Sequence, residues 1–251
     1  MITSKTNELI KHIKSLHNKK ERDENKEFIV EGKKIVKEAI EADFKIVKII
    51  VCKELLKEEY ESKKFEIEYV DENIFKYISD TQTPQGILAI VKRPEYSEEY
   101  GEKIFALDSV QDPGNVGTII RTLDSAGINT LLLSETCADE YNTKVIRSTM
   151  GAIFRVKTYR ESNLKEKLES LKKQGYKIIV TDLDTEANLF EYAFPSKTIV
   201  VIGNESKGVS DEIKNIADVK VKIPMVGKTE SLNAGVAASL MAYEILRKSN
   251  Q

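Results

Sequence analysis

The stretch IPMVGKTESLNAGVAASLMAYEIL, residues 223–246, decides how the rest of the chain is read. It leaves an apolar strand at Ile223, turns through Pro224, Gly227 and Lys228, and is expected to start a helix at Ser231, whose hydroxyl suits an N-cap. That helix opens on Leu232, Asn233, Ala234 and Gly235, so free N–H groups and a polar amide face whatever lies beyond the strand end. Farther on, Ala237, Ala238 and Ala242 permit close backbone approach, and Leu232, Val236, Leu240 and Tyr243 recur at helical spacing as an expected packing face. A capped core helix and a ligand-facing strand end both fit this stretch taken alone.

Two earlier strands end in the same way. IFALDSV, residues 104–110, runs into QDPGNVGTIIRTLDSAGI, where a turn of Pro113, Gly114, Asn115 and Gly117 precedes a helix carried by Ile119, Ile120 and Leu123 and closed by Gly127. KTIVVIGNESKGVS, residues 197–210, ends in Gly203, Asn204, Glu205, Ser206, Lys207 and Gly208. In open α/β sheets ligands sit beyond the carboxyl ends of the strands, so polar glycine-containing turns at Asp108, Ile202 and Ile223 together mark a site more sharply than any one of them. A glycine-rich turn between strand and helix suits a nucleotide or phosphate. Arg121, in the first turns of its helix, is either part of that site or an ion-pair partner of Asp124 or Asp112. A Walker A loop ending at Gly227, Lys228 and Thr229 is excluded, because Lys222 stands where its first glycine belongs. The Gly-x-Gly-x-x-Gly turn of an ordinary dinucleotide fold is missing too.

Around these turns lie further strands, TLLLS at 130–134 and YKIIVTDLD at 176–184, and a helix with Leu164, Leu168 and Leu171 on one face, capped by Ser162 and closed by Gly175. A polar region with Lys144 and Arg147 and the turn STMGAIFRV separate the first of these strands from that helix.

The front of the chain reads differently. Residues 3–26 carry Lys5, Lys11, Lys14, Lys19, Lys20, Arg22 and Lys26 against four carboxylates, with Leu9, Ile13 and Leu16 at helical spacing, so a basic helix and a polar turn are expected. Such a run is either a solvated face or an RNA contact. From Phe28 strands and helices alternate: FIVEG, GKKIVKEAIEA, IVKIIVC, KELLKEEYE, FEIEYV, DENIFKYISD and GILAIVK. The loops of this small α/β module bear Gly32, Lys33 and Lys34, and a polar run from Thr81 to Gly86, but no catalytic spacing. It reads as a recognition module over residues 1–92, joined by the polar linker 93–102 to a second domain at 103–251.

Composition limits the alternatives. At 251 residues and 41% hydrophobic the chain can bury a core, and its charges, 32% of residues, cancel to −2, so nucleic-acid contact must come from a local patch. The two histidines, His12 and His17, both lie in the first charged segment, which excludes a histidine triad or histidine metal cluster elsewhere. Cys52 and Cys137 form no short metal spacing, so neither a metal nor a disulfide framework is expected. No apolar run reaches the roughly 18 residues of a membrane span, and a cytoplasmic protein is expected.

Taken in order, DPGNVGTIIRT, VIGNESKGVS and IPMVGKTESLNAGVAASLMAYE resemble the three motifs of the SpoU (TrmH-like) family of RNA ribose 2′-O-methyltransferases, within the SPOUT superfamily, over roughly residues 103–247. The front module is similar to the RNA-binding domain, related to a ribosomal-protein fold, that many members carry. The resemblance implies an α/β fold whose C-terminal parallel-sheet domain is threaded into a trefoil knot, an exception to the rule against threading. It implies S-adenosylmethionine as cofactor, held by Gly203, Ile223, Leu232, Asn204 and Thr181, and a homodimer with the active site near the subunit interface. It further implies Arg121 as the catalytic arginine, with Asn115, Glu205, Ser231 and Asn233 orienting it, the ribose and the methionine end. Lys33, Lys34 and Arg121 would meet RNA, ribosomal RNA in preference to transfer RNA. A transfer-RNA 2′-O-methyltransferase, and a non-catalytic RNA-binding or ribosome-assembly protein, are the alternatives; intact polar strand ends argue against the latter.

Overall fold

The computed structural model describes residues 1–249 and divides into two compact units, Met1–Tyr96 with Tyr141–Phe154, and Ser97–Glu140 with the chain from Arg155 onward. The first unit begins with α1 (Glu8–Ser15) and α2 (Lys19–Asn25), two helices where one was expected, because the Asn18 side chain accepts the Lys20 N–H and starts a new helix. There follow β1 (Glu27–Glu31), α3 (Lys33–Glu41), β2 (Ile46–Val51), α4 (Lys53–Leu56), β3 (Ile67–Tyr69), α5 (Glu72–Ile78) and β4 (Ile87–Lys92). The expected helix KELLKEEYE is a single turn that ends at Lys57, whose φ is +59°. The strands form a sheet in the order β1-β4-β2-β3, with β4 antiparallel to both neighbours and β2 parallel to β3. Ile10, Ile13 and Leu16 pack with Ile50, Phe75, Ile78, Leu88 and Ile90 in the core.

The rest of the chain runs β5 (Lys103–Leu107), α6 (Pro113–Ser125), β6 (Thr130–Ser134), α7 (Thr143–Thr149), a 3₁₀ turn (Ala152–Phe154), β7 (Lys157–Glu161), α8 (Leu164–Lys173), β8 (Lys177–Thr181), β9 (Thr198–Ile202), α9 (Asp211–Lys214), β10 (Val219–Val221) and α10 (Ala234–Ser249). Six of these strands form one parallel sheet in the order β10-β8-β9-β5-β6-β7. Its inner strands are apolar without alternation, as in TIVVI of β9, since both faces are covered. Leu164, Leu168 and Leu171 of α8 join Ile104, Ala106, Ile178, Val180, Ile199 and Val201 in the core. The cap of α8 is Asn163 rather than Ser162; its side chain accepts the Glu166 N–H, and Gly175 beyond the helix takes φ +93°.

Within the first unit, residues 141–154 pack on the four-stranded sheet although they follow β6 in sequence. Tyr141 stacks obliquely on Phe28, with ring centroids 4.7 Å apart, and Phe154 meets Phe44 edge-on at 4.9 Å. Gly151, at φ +94°, touches the Glu38 carboxylate so closely that a Cβ would lie 1.6 Å from an oxygen.

Candidate active site at the carboxyl edge of the six-stranded sheet

Strand register puts the ends that the sequence singles out side by side. Leu107 pairs with Ile202, Val180 with Val201 and Val221 with Thr181, so the loops after β5, β9, β8 and β10 leave one edge of the sheet. The chain moves from β5 to β6 and β7 on one side, then returns to lay β8, β9 and β10 on the other. The strand order therefore reverses between β5 and β9, where open α/β sheets bind ligands.

The loop after β5 is shorter than expected. Pro113, Gly114, Asn115 and Gly117 are the first turns of α6 and not a preceding glycine-rich loop. Pro113 sits at the helix start, where its missing N–H costs nothing, and the Asp112 carboxylate accepts the Asn115 N–H at 2.9 Å. Asn115 is thus fixed on a helix and 8% exposed. After β9, Asn204 and Gly208 exchange both backbone hydrogen bonds at 2.9 Å, making a tight hairpin. Gly203 has to be glycine, because a Cβ there would stand 2.0 Å from the Gly208 carbonyl carbon. After β10 the loop continues to Asn233, and α10 begins at Ala234. Ser231 does not cap it. The Asn233 side-chain oxygen accepts the N–H groups of Gly235 at 2.9 Å and Val236 at 3.2 Å.

Three side chains, one from the first turn of α6 and two from the loops after β9 and β10, form a directed chain of hydrogen bonds. The Asn233 amide nitrogen donates to the Asn115 oxygen at 2.8 Å, and the Asn115 amide nitrogen donates to Glu205 Oε1, also at 2.8 Å. Glu205 also accepts the backbone N–H groups of Asp112 at 3.1 Å and Gln111 at 3.3 Å. Partial burial pushes the Glu205 carboxyl upward, but the Asn115 amide and these backbone donors outweigh it and hold the group below the usual carboxylate range. An ionised Glu205 fixes the orientation of both amides, since a carboxylate can only accept. Beside this relay, buried Asp108 accepts the Ser210 N–H at 2.7 Å, and the Asn204 amide donates to the Ser109 carbonyl at 2.8 Å, tying the first two loops together again.

A cavity of about 330 Å³ opens beside the relay, within the range that small-molecule ligands occupy. Thr181, Gly203, Asn204, Ile223 and Leu232 all line it, as do Glu205 and Ser231. Asp182, which no motif in the sequence marks, lines it too and is held by Lys214 at 3.2 Å and Lys220 at 3.7 Å; its position directly after the apolar run of β8 is the one local signal for it.

Arg121 stands apart from these contacts. It is exposed on α6 and makes no hydrogen bond or ion pair among the described residues. Asp124 is held instead by Arg155 through contacts of 2.9 and 3.0 Å, and Asp112 is the helix cap, so neither ion pair expected for Arg121 forms. On α10 the small residues Ala238 and Ala242 pack inward as expected, but Leu232, Val236 and Tyr243 do not form the packing face. Ala234, Gly235, Ala238, Met241, Ala242 and Ile245 are buried, while Leu232, Val236 and Tyr243 are 37%, 47% and 50% exposed. Small residues face inward because α10 lies close on α6: a Cβ at Gly235 would come within 3.2 Å of Thr118, and Thr122 bonds Ser239 at 2.9 Å. In the first unit the ammonium groups of Lys33 and Lys34 lie 3.0 Å from Glu58 and 3.8 Å from Glu38. Among the described residues there is no cluster of three or more potential metal ligands, and no helix is long and apolar enough to cross a membrane.

A parallel α/β sheet with a ligand-sized cavity at the carboxyl ends of β8, β9 and β10, next to the switch point, defines the class of protein. The chain belongs to the SpoU rRNA methylase family, whose pattern it matches over residues 102–243; residues 7–89 match the MRM3-like substrate binding domain. It is 34% identical to the 23S rRNA (guanosine(2553)-2′-O)-methyltransferase RlmP of Bacillus subtilis (strain 168), across 97% of this chain and 98% of that protein. Among solved structures, an AdoMet-bound rRNA methyltransferase from Sinorhizobium meliloti superposes with a TM-score of 0.86 at 29% identity, covering 98% of this chain and 97% of the other. An RNA 2′-O ribose methyltransferase superposes with a TM-score of 0.83 at 28% identity, over 100% and 99% of the two chains.

Proposed function

We infer that this protein transfers a methyl group from S-adenosylmethionine to a ribose 2′-hydroxyl of RNA, ribosomal RNA above all. The observation that carries the reading is the Asn233–Asn115–Glu205 relay, whose Glu205 lines the strand-end cavity, in a chain of the SpoU family. The preference for ribosomal RNA is supported by the name of the Bacillus relative and by the substrate-binding module at the front.

The residues present fit the cofactor. The cavity has the size for a nucleoside, apolar walls at Ile202, Ile223 and Leu232, and the Asn204–Gly208 hairpin on one side, closed so tightly against Gly203 that no side chain can intrude there. Thr181, Gly203, Asn204, Ile223 and Leu232 would hold it. When bound, S-adenosylmethionine supplies a methyl group on a sulfonium that is already a good leaving group. The protein has to hold the acceptor in line and stabilise a weakly acidic hydroxyl as it loses its proton. Arg121 suits the second of these roles, because its guanidinium offers five N–H donors, none paired among the described residues, to grip a phosphate and stabilise the developing alkoxide. Asn115 lies on the same helix, and the relay would keep that helix in register with the start of α10, where Ser231 and Asn233 orient the ribose and the methionine end.

Two properties belong to the same reading. The first is a homodimer built on the exposed face of α10, which carries Val236 and Tyr243, the latter bonded to Ser125 of α6, placing Arg121 near the subunit boundary. The second is a trefoil-knotted path for the chain around residues 223–246. Action in the cytoplasm, where bacterial ribosomal RNA is found, belongs to the same reading and is supported by the Bacillus relative. The test is to incubate the protein with unmethylated ribosomal RNA and S-adenosylmethionine labelled in the methyl group. A 2′-O-methyl blocks alkaline cleavage of the adjoining phosphodiester, so label recovered in an alkali-stable dinucleotide supports the reading, and label in mononucleotides alone rejects it.

A further inference from the structure

We propose that the first unit contains a pocket for one extruded RNA base, completed by residues 141–154. The proposal rests on RNA being the substrate. A cavity of about 250 Å³ lies between the start of α3 and the loop before β4, and α7 closes it with Arg147 and Met150. Ile35 and Met150 supply apolar walls. Met150 takes φ +50° at the end of α7 and is 46% exposed, an unusual position for a large apolar side chain with no core to enter.

The polar groups are few and oriented. Gln85 Oε1 accepts the Lys33 N–H at 2.9 Å, which fixes the amide and leaves its nitrogen without a partner among the described residues. The Thr83 hydroxyl lines the same cavity and has no partner among those residues either. Both nearby carboxylates are already satisfied. Glu31 accepts Ser79 Oγ at 2.6 Å, Thr81 Oγ1 at 2.8 Å and the Asp80 N–H at 3.2 Å. Asp80 accepts Thr143 Oγ1 at 2.6 Å and Arg147 at 3.3 Å. Arg147 spends one of its five N–H donors there, and its guanidinium plane remains available for stacking.

Apolar walls with a fixed amide and a guanidinium suit a flat uncharged ring better than a bare phosphate, which would call for an uncompensated positive cavity. RNA offers such rings only where bases are unpaired and splayed out, and proteins read them by stacking and by hydrogen bonds to their edges. Lys34, also on the lining, would meet the adjoining phosphate. The sequence module 1–92 is therefore an incomplete binding unit, because Arg147 and Met150 reach it from the chain after β6.

The test uses the full-length protein and its Gln85→Leu and Met150→Ser variants, both at exposed positions. In methyl transfer to unmethylated ribosomal RNA, the KM for RNA should rise about tenfold in each, with kcat and S-adenosylmethionine affinity within twofold of the parent. Binding to single-stranded oligoadenylate and oligouridylate should weaken to the same extent, and binding to a fully paired RNA duplex should not change. If the parent transfers methyl groups while both variants keep its KM and its oligonucleotide affinities, the pocket is refuted and the proposed function stands. If the parent transfers none, the proposed function fails, and the oligonucleotide measurements still decide the pocket.

Discussion

The two polar regions that the sequence marks, the strand-end loops of the second unit and the lysine-rich front of the first, use their polar groups in opposite ways. In the loops, Glu205 meets Asn115 across 90 positions and Asn115 meets Asn233 across 118. In the front segment Lys11 pairs with Glu8, Lys19 with Asp23, Lys20 with Glu24 and Lys34 with Glu38, each three or four positions away. Neighbours on an exposed helix need no tertiary fold to meet, and such contacts contribute little. Long-range contacts among amides and a carboxylate exist only when the whole sheet edge is assembled. High local charge is thus the weaker sign of a site here, and the relay is the stronger.

The comparison is broken most severely at Arg121. If this residue, unpaired among the described residues, acts on the transition state, Arg121→Lys and Arg121→Ala both lose methyl transfer by roughly a hundredfold or more, since a lysine cannot reproduce a planar fork. Single-turnover rates, cofactor affinity and melting temperature on the same proteins check this. Affinity and melting should stay put, because Arg121 makes no hydrogen bond or ion pair among the described residues.

Next in size is Gly203→Ala. The new Cβ would meet Gly208 and Val209 backbone atoms at 2.0–2.3 Å, so the hairpin must move, and S-adenosylmethionine affinity measured by calorimetry should fall more than about tenfold. Gly208→Ala makes the control. Its φ of +70° is strained for alanine by about 1–2 kcal/mol, yet nothing lies within 4 Å, so melting temperature drops and most affinity survives.

A smaller difference separates the lysines. Lys33→Gln with Lys34→Gln should lower the slope of log affinity for RNA against log salt by about 2, whereas Lys19→Gln with Lys20→Gln should leave it nearly unchanged. A slope lowered by the Lys19 and Lys20 changes and not by those at Lys33 and Lys34 would place RNA contact on the front helices instead.

The smallest effect is in acid. Because Glu205 is held below its ordinary range in the fold, its stabilising contribution is complete above the unfolded carboxylate value, near about pH 4.3, and is lost as pH falls through the lower folded value. Melting temperature followed through that interval should decline less steeply in Glu205→Gln than in the parent.

Much of this arrangement is legible in the sequence. The apolar runs at 104–107, 130–134, 177–181 and 198–202 are strands, and Asn115, Glu205 and Asn233 stand out because polar residues crowd directly after such runs. What escapes depends on tertiary contact. Helical spacing groups Leu232, Val236 and Tyr243 on one face but does not say which face is inward, and here close approach to α6 selects the small residues. KTYRE is an edge strand, β7, with one neighbour and mixed exposure, so it carries no apolar run to recognise. Glycines at 114 and 117 suggest a loop, although Asp112 and Pro113 together signal a helix start. Residues 141–154 join the first unit through Tyr141, Phe154 and Gly151, contacts that no local pattern announces.

The central claim is that three loops act as one device through Asn115, and a double-mutant cycle tests it most directly. S-adenosylmethionine affinity would be measured by calorimetry for the parent, Asn115→Ala, Asn233→Ala and the double variant. If the relay is a unit, the double variant loses about as much as either single variant, with a coupling of roughly 0.5–3 kcal/mol. Losses that simply add would show that Asn115 and Asn233 act independently, and would contradict the account.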